Sequence, residues 1–438
     1  MTVSTTSRVV IPGGALRGEL RPPPDKSITH RAVILAALST GTSRIVHPLE
    51  ADDCHRTMEA FRRMGVLVEK DGRNDWVVVG HGLYGLQPPT EGMIYCGNSG
   101  TTMRLVSGVL AGQPFEAKLM GDHSLSQRPM ARVVEPLTKM GAQIAARDGK
   151  FAPLHLHGRR PLQAIEWDSP VASAQVKSCV LLAGLYADGV TTVREPSRSR
   201  DHTERMLAAA GVKLDVGDSF VSIRGGQSFQ AQDWVVPSDI SSAAFFIVAA
   251  LLAPGSELML RNVNVNPTRD GVLEVLRNMG ANIKLEDMRS VGGEPIADLL
   301  VKTTFLKAAS FGADVMPRLL DEVPVLAVAA TQAQGVTEIT GAQELRVKES
   351  DRLTLIANQL NKMGAKVEEL PDGLRIEGPT PLKGTTVDSH TDHRLAMSFA
   401  VAGLTASGET SILNADAVDI SFPTFWSDFE KLRVESRR

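Results

Sequence analysis

Asp25-Lys-Ser-Ile-Thr-His-Arg-Ala-Val-Ile-Leu-Ala-Ala-Leu-Ser-Thr-Gly-Thr-Ser-Arg-Ile-Val46 joins a polar head to an apolar run, a glycine and a β-prone run. The same unit recurs along the chain, with apolar runs at Ala32–Leu38, Leu105–Ala111, Val176–Leu185, Ala243–Leu252, Val323–Ala330 and Leu395–Leu404. Gly41, Gly112, Gly189, Gly255, Gly335 and Gly408 follow them, and then strand-like text such as Val190–Val193, Leu258–Leu260 and Thr410–Leu413. A helix that is apolar on every side is buried, so only its ends can meet a ligand. The N-terminal end, with its free N–H groups and positive dipole, favours anions. The heads are Lys26-Ser27 with Arg31, Gly97–Arg104, Ser173–Gln175, Asp239–Ser242, Asp321-Glu322 and Asp392-His393-Arg394. They predict an anion-binding site assembled from repeats.

Between the buried runs lies a second, amphipathic helix that ends at glycine. Met58–Met64 stops at Gly65, Val134–Met140 at Gly141, Met206–Ala210 at Gly211, Val272–Met279 at Gly280 and Leu353–Met363 at Gly364. The last copy is Phe425–Leu432. Leu353, Ile356, Leu360 and Met363 form one apolar stripe, and the glycine is the expected left-handed C-cap. Alternating segments follow, such as Ala281-Asn-Ile-Lys-Leu285, and read as half-buried strands. Each unit of roughly 70 residues therefore holds two helices and three or four strands. A solenoid would not enclose six all-apolar helices, although a period of this size raises that possibility. The expected fold class is α/β (α+β), with two similar domains, each of three βαβαββ-type units whose helices lie inside sheets. The domains are expected at residues 24–236 and at residues 1–23 plus 237–438, with helix N-termini facing a shared cleft and a closing hinge.

A chain of 438 residues is long enough for two or three domains. The net charge of −3 argues against bulk nucleic-acid or anionic-membrane binding. Cys54, Cys96 and Cys179 are widely spaced with no CxxC, which indicates neither a disulfide framework nor a zinc site and fits a reducing cytoplasm. Met1–Val10 has no charged-then-apolar pattern, so no signal peptide is expected. The apolar runs fall short of the roughly 20 residues that span a bilayer.

The heads carry the chemistry. Arg31 leads straight into an apolar run, where a buried charge needs a partner. Cys96-Gly-Asn-Ser-Gly-Thr-Thr-Met-Arg104 is a glycine-rich turn whose backbone can approach a phosphate or carboxylate, but it lacks the Gly-Lys-Ser/Thr of a nucleotide loop. Ser173-Ala-Gln-Val-Lys177 offers a hydroxyl, a carboxamide and an ammonium at a helix start. Ser199-Arg-Asp-His-Thr203 could act likewise or cap the next helix. In Arg346-Val-Lys-Glu-Ser-Asp-Arg352, Lys348 beside Glu349 suits an acid poised to trade a proton next to a cation. Asp321-Glu322 supplies a second acid, and Asp392-His-Arg394 another arginine. His393 has no partner at metal-ligand spacing. Arginine forks suit carboxylates and phosphates, so the site is expected to hold two small polyanions with acid–base groups between them, for a group transfer.

These residues, in this order, resemble the 5-enolpyruvylshikimate-3-phosphate synthase (3-phosphoshikimate 1-carboxyvinyltransferase) family of enolpyruvyl transferases, and within it the second bacterial subclass. The resemblance runs from about Pro24 to Phe429 and also rests on Gln127-Arg-Pro129. It implies transfer of enolpyruvyl from phosphoenolpyruvate to the 5-hydroxyl of shikimate 3-phosphate, on the route to chorismate and the aromatic amino acids. It implies Asp321, Glu349 and Lys26 as catalytic. Shikimate 3-phosphate would be held by Lys26, Ser27, Arg31, Ser173, Ala174, Gln175, Arg200, Asp321 and Lys348. Phosphoenolpyruvate would be held by Lys26, Asn98, Gly100, Arg128, Gln175, Arg352 and Arg394. No cofactor or metal is implied, and a monomer is. Two departures stand out: Asp419-Ile-Ser-Phe-Pro423 lacks the lysine many members place there, and Leu105 replaces a proline. Gly100 stands where glyphosate-tolerant relatives carry alanine, so glyphosate is an expected inhibitor. The sister enzyme acting on UDP-N-acetylglucosamine needs a loop cysteine that Gly121–Pro129 lacks, a kinase needs a nucleotide loop, and a non-catalytic anion-binding repeat protein leaves Asp321 and Glu349 unexplained.

Overall fold

The computed structural model describes residues 6–434, so the ends of the expected second domain, 1–5 and 435–438, lie outside the described residues. The chain forms two compact units: a first from Pro24–Pro237 and Ser290–Glu294, and a second from Met1–Pro23, Ser238–Arg289 and Pro295–Arg438. The first unit thus takes in Pro237 and Ser290–Glu294, which the sequence reading had placed in the other. Local bonding explains both: the Pro237 carbonyl accepts from the Asp25 amide at 2.8 Å, and the Glu294 carboxylate lies 2.8 Å from His202 Nδ1.

Twelve helices of eight residues or more occur among the described residues. In the first unit they are α1 (Lys26–Leu38), α2 (Asp52–Arg63), α3 (Gly100–Ala111), α4 (Ala131–Lys139), α5 (Ala174–Gly184) and α6 (His202–Ala209). In the second they are α7 (Ile240–Leu252), α8 (Gly271–Asn278), α9 (Val323–Gln332), α10 (Arg352–Lys362), α11 (His393–Thr405) and α12 (Phe425–Leu432). The odd-numbered helices carry the apolar runs and are buried almost throughout; in α7, every residue from Ile240 to Leu251 is. The even-numbered helices bury one stripe, as α10 does with Leu353, Ile356, Ala357 and Leu360. Gly364 ends α10 at φ +89, a left-handed cap that only glycine adopts without strain. The last copy has no such glycine. Instead α12 docks through Phe425 and Phe429, whose rings lie 5.6 and 6.2 Å from that of Phe246 on α7.

Each odd helix lies beneath its own small sheet. In the first unit the three four-stranded sheets have one plan: a short strand runs parallel to a longer one, which continues into two antiparallel strands. The strands are Trp234–Val235, Thr40–Val46, Trp76–His81 and Leu67–Lys70 in the first sheet, and Met93–Tyr95, Glu116–Met120, Phe151–His157 and Gln143–Arg147 in the second. Glu166–Asp168, Val190–Arg194, Phe220–Arg224 and Leu214–Val216 make the third. The opening strand of the first sheet therefore comes from the far end of the unit. The second unit also closes with distant chain. Ala15–Leu20 runs parallel to Glu257–Asn264, and Ser7–Val10 pairs antiparallel with Thr410–Leu413. Each unit has its own hydrophobic core.

Helices α3 and α5 pack backbone against backbone in the first core. A Cβ on Gly108 would fall 2.2 Å from the Cys179 carbonyl oxygen, which no rotamer change relieves. Gly108→Ala is expected to cost about 1–3 kcal/mol by overpacking and to lower the thermal unfolding midpoint. An unchanged midpoint would contradict this packing.

Candidate active site

In the first unit the site grows from three helix starts. Asp25, Ser99 and Ser173 cap α1, α3 and α5, each accepting a backbone N–H of the first turn. Arg31, one turn into α1, is only 4% exposed. Its guanidinium donates to Thr203 Oγ1 (2.7 Å), Ser178 Oγ (2.7 Å) and the Ser27 carbonyl (3.0 Å), all uncharged oxygens. Burial lowers its pKa to about 10; Glu204, Asp25 and Glu294 pull the other way, and the Arg200 guanidinium adds to the lowering. Arg31 is thus a buried cation bonded to neutral oxygens, with three carboxylates acting on it from farther off more strongly than Arg200 does.

The starts of α3 and α5 are tied together. Gln175 donates to Thr101 Oγ1 at 2.9 Å and accepts from Arg104. Above the glycine-rich turn, Arg128 donates to Asn98 Oδ1 at 2.6 Å, and Asn98 to Asp122 Oδ2 at 3.0 Å. Arg128 Nε is buried without a hydrogen-bond partner. Gly100 leaves room at this turn, since a Cβ there would stand 3.1 Å from Arg104 Nη1. Lys26 pairs with Asp53 at 3.1 Å, both partly exposed. Behind them His30 Nδ1, Thr57, Thr102 and Ser99 form a buried hydrogen-bond chain that joins α1, α2 and the cap of α3, with links of 2.7, 2.7 and 2.8 Å.

Two sequence expectations change here. Lys177 does not offer its ammonium at the helix start. It points into the interior, 3.0 Å from Glu195 and 2.8 Å from Glu204, because every residue of α5 from Val176 onward is buried. Two carboxylates outweigh the burial that would lower its pKa and raise it instead. Asp201 precedes α6 but accepts no cap bond; its carboxylate binds Arg205 and Arg198.

The second unit holds the acids. Asp321, in a 3-10 turn ahead of α9, faces three cations: Lys348 Nζ and Arg352 Nη1 each lie 3.5 Å from Oδ1, and Arg394 Nη2 lies 3.9 Å from Oδ2. Glu349 pairs with Arg352 at 2.8 Å rather than with its neighbour Lys348. Asp392 caps α11, binds Arg352 Nε at 2.8 Å and accepts from Ser350 at 2.9 Å. Burial opposes both charges, yet Glu349, Asp392 and Asp321 hold Arg352 above its ordinary pKa, and Arg352 leads in holding Asp392 below its own. Within the run Arg346–Arg352 only Arg352 is buried, at 1% exposed; Val347 and Glu349 are exposed and the rest half-buried. The fourth head, given no contact by the sequence, also joins in: Ser241 donates to Glu322 and accepts from Arg269 at 2.6 Å.

Sequence reading missed Asp53, Ser178 and Glu195, whose partners Lys26, Arg31 and Ser173 lie 22 or more residues away along the chain. No His/Cys/Asp/Glu group among the described residues could hold a metal, and none of their helices is long and apolar enough to cross a membrane. The segment missing the lysine, Asp419–Pro423, begins at the end of a 3-10 turn, Ala415–Ile420, with Ile420 40% exposed.

Residues 10–429 match the family model for EPSP synthase (3-phosphoshikimate 1-carboxyvinyltransferase). The chain belongs to the EPSP synthase family. A 3-phosphoshikimate 1-carboxyvinyltransferase of Endomicrobium trichonymphae is 53% identical over 93% of this chain and 95% of its own. One of Geobacter sulfurreducens is 51% identical over 97% and 98%. The solved EPSP synthase of Acinetobacter baumannii superposes with a TM-score of 0.90 at 43% identity, covering 98% of each chain.

In this EPSP synthase family member, burial lowers the His30 pKa to about 3 from an ordinary 6.5. The unfolded chain therefore binds the extra proton between those values, and stability is lost as pH falls through that window and unaffected above it. His30→Gln is expected to flatten the fall in unfolding midpoint between pH 6.5 and 4. Parallel slopes for variant and wild type would count against it.

Proposed function

We propose that this chain transfers the 1-carboxyvinyl group of phosphoenolpyruvate to the 5-hydroxyl of shikimate 3-phosphate, releasing phosphate, in the cytoplasm and as a monomer, on the route to chorismate. The observation that carries the reading is the convergence of Lys348, Arg352 and Arg394 on Asp321, with Glu349 on the same arginine. It sets two acids within a cationic cluster, as a reaction between two anions that trades protons requires.

In this reading Arg31, Arg200, Ser27, Ser173, Ala174, Gln175 and Lys348 hold shikimate 3-phosphate. Lys26, Asn98, Gly100, Arg128, Gln175, Arg352 and Arg394 hold phosphoenolpyruvate. Glu349 protonates the methylene carbon, which makes C2 cationic, and Asp321 takes the hydroxyl proton as the oxygen adds to C2. Lys26 sits among the charges of both substrates. The tetrahedral intermediate then returns a methyl proton and breaks its C–O bond to phosphate. Arginines spread the developing charge and hold the reactants within reach.

Phosphate release from the mixed substrates is expected to need both of them. Asp321→Asn and Glu349→Gln should each lower kcat about a hundred- to ten-thousandfold with the fold intact. A folded wild-type protein releasing no phosphate would refute the activity, and a variant with full kcat would refute that residue's role. With Gly100 in place, glyphosate is expected to inhibit in competition with phosphoenolpyruvate; full activity at millimolar glyphosate would overturn this.

A further inference from the structure

One buried carboxylate outside these roles binds two segments of the first unit at once. Glu195 is 8% exposed. Its Oε1 accepts from the Ser173 N–H at 2.9 Å, at the start of α5. Its Oε2 accepts from the Ser199 N–H at 3.3 Å and the Ser199 hydroxyl at 2.8 Å, one residue before Arg200. Lys177 holds that same oxygen at 3.0 Å and also donates to the Ser199 carbonyl at 3.3 Å.

Stability does not account for these charges. Burying an ion pair costs several kcal/mol of desolvation, and apolar replacement is often neutral or stabilising. An apolar side chain could fill the volume, but it could not accept from two amides in different directions. We propose that Glu195, oriented by Lys177, is a positioning residue that sets the spacing between the Ser173–Gln175 head and Arg200, and so the affinity of the first unit for the phosphorylated substrate. The inference rests on the proposed function, in which those residues grip shikimate 3-phosphate.

Glu195→Gln keeps the shape and removes the charge. In the full chain, titration calorimetry is expected to show shikimate 3-phosphate binding weakened about tenfold, as for loss of a charge-assisted hydrogen bond. At saturating shikimate 3-phosphate, kcat should stay within about twofold of wild type, and the KM for phosphoenolpyruvate, to which Gln175 also contributes, should rise clearly less than the tenfold loss in shikimate 3-phosphate binding, a split that mere loosening of the fold would not produce. Ser199→Ala, which leaves every charge in place, should weaken the same binding about threefold; it decides the matter if Glu195→Gln does not fold. Wild-type affinity in either folded variant, or equal losses for both substrates, overturns the proposal. If the wild-type protein itself fails to bind shikimate 3-phosphate, the functional reading falls, and this inference with it.

Discussion

A helix that is apolar around its whole circumference cannot be exposed along its length, and its backbone needs satisfied ends. In this chain that constraint applies to six helices in two cores, and it confines polar chemistry to their starts. Asp25, Ser99, Ser173, Asp239 and Asp392 all cap such starts with side-chain oxygens. The side chains proposed to bind and react lie within a few residues of a helix start or in a loop bound to one. The sheets and the amphipathic helices keep water from the buried helices and hold their starts in place.

The two clusters handle charge in opposite ways. Around Arg31 the partners are hydroxyls and a carbonyl, and the positive charge is left for whatever binds. Around Arg352 the partners are Glu349, Asp392 and Asp321, which keep the guanidinium charged and the acids fixed. The first arrangement suits holding an anion through a reaction. The second places two acids beside cations, an arrangement suited to proton exchange.

Periodicity is a local property, so the fold could be read from the sequence: the six apolar runs became α1, α3, α5, α7, α9 and α11, and the glycine-terminated stripes became the helices between them. The heads were legible for the same reason. Charge partnership was not, since it depends on which way each side chain turns. Lys348 and Glu349 adjoin in sequence yet take Asp321 and Arg352 as partners. Lys177 carried a signal that was passed over, a lysine embedded in a run that is otherwise wholly buried. For Glu195 no signal existed, because Ser173 lies 22 residues away and nothing in the spacing foretells the bond.

The strands that close each unit have a consequence for synthesis. Ala15–Leu20 runs beside Glu257–Asn264, and Ser7–Val10 beside Thr410–Leu413. At about 5–20 residues per second, the earliest strands to leave the ribosome wait tens of seconds for a partner. The first unit needs Trp234–Val235 to complete its opening sheet and Ser290–Glu294 to seat Glu294 on His202, so it can finish while the rest of the chain is still being made. The unit that starts the chain is thus the last to fold, and its unpaired β-edges are what a nascent-chain chaperone would have to cover.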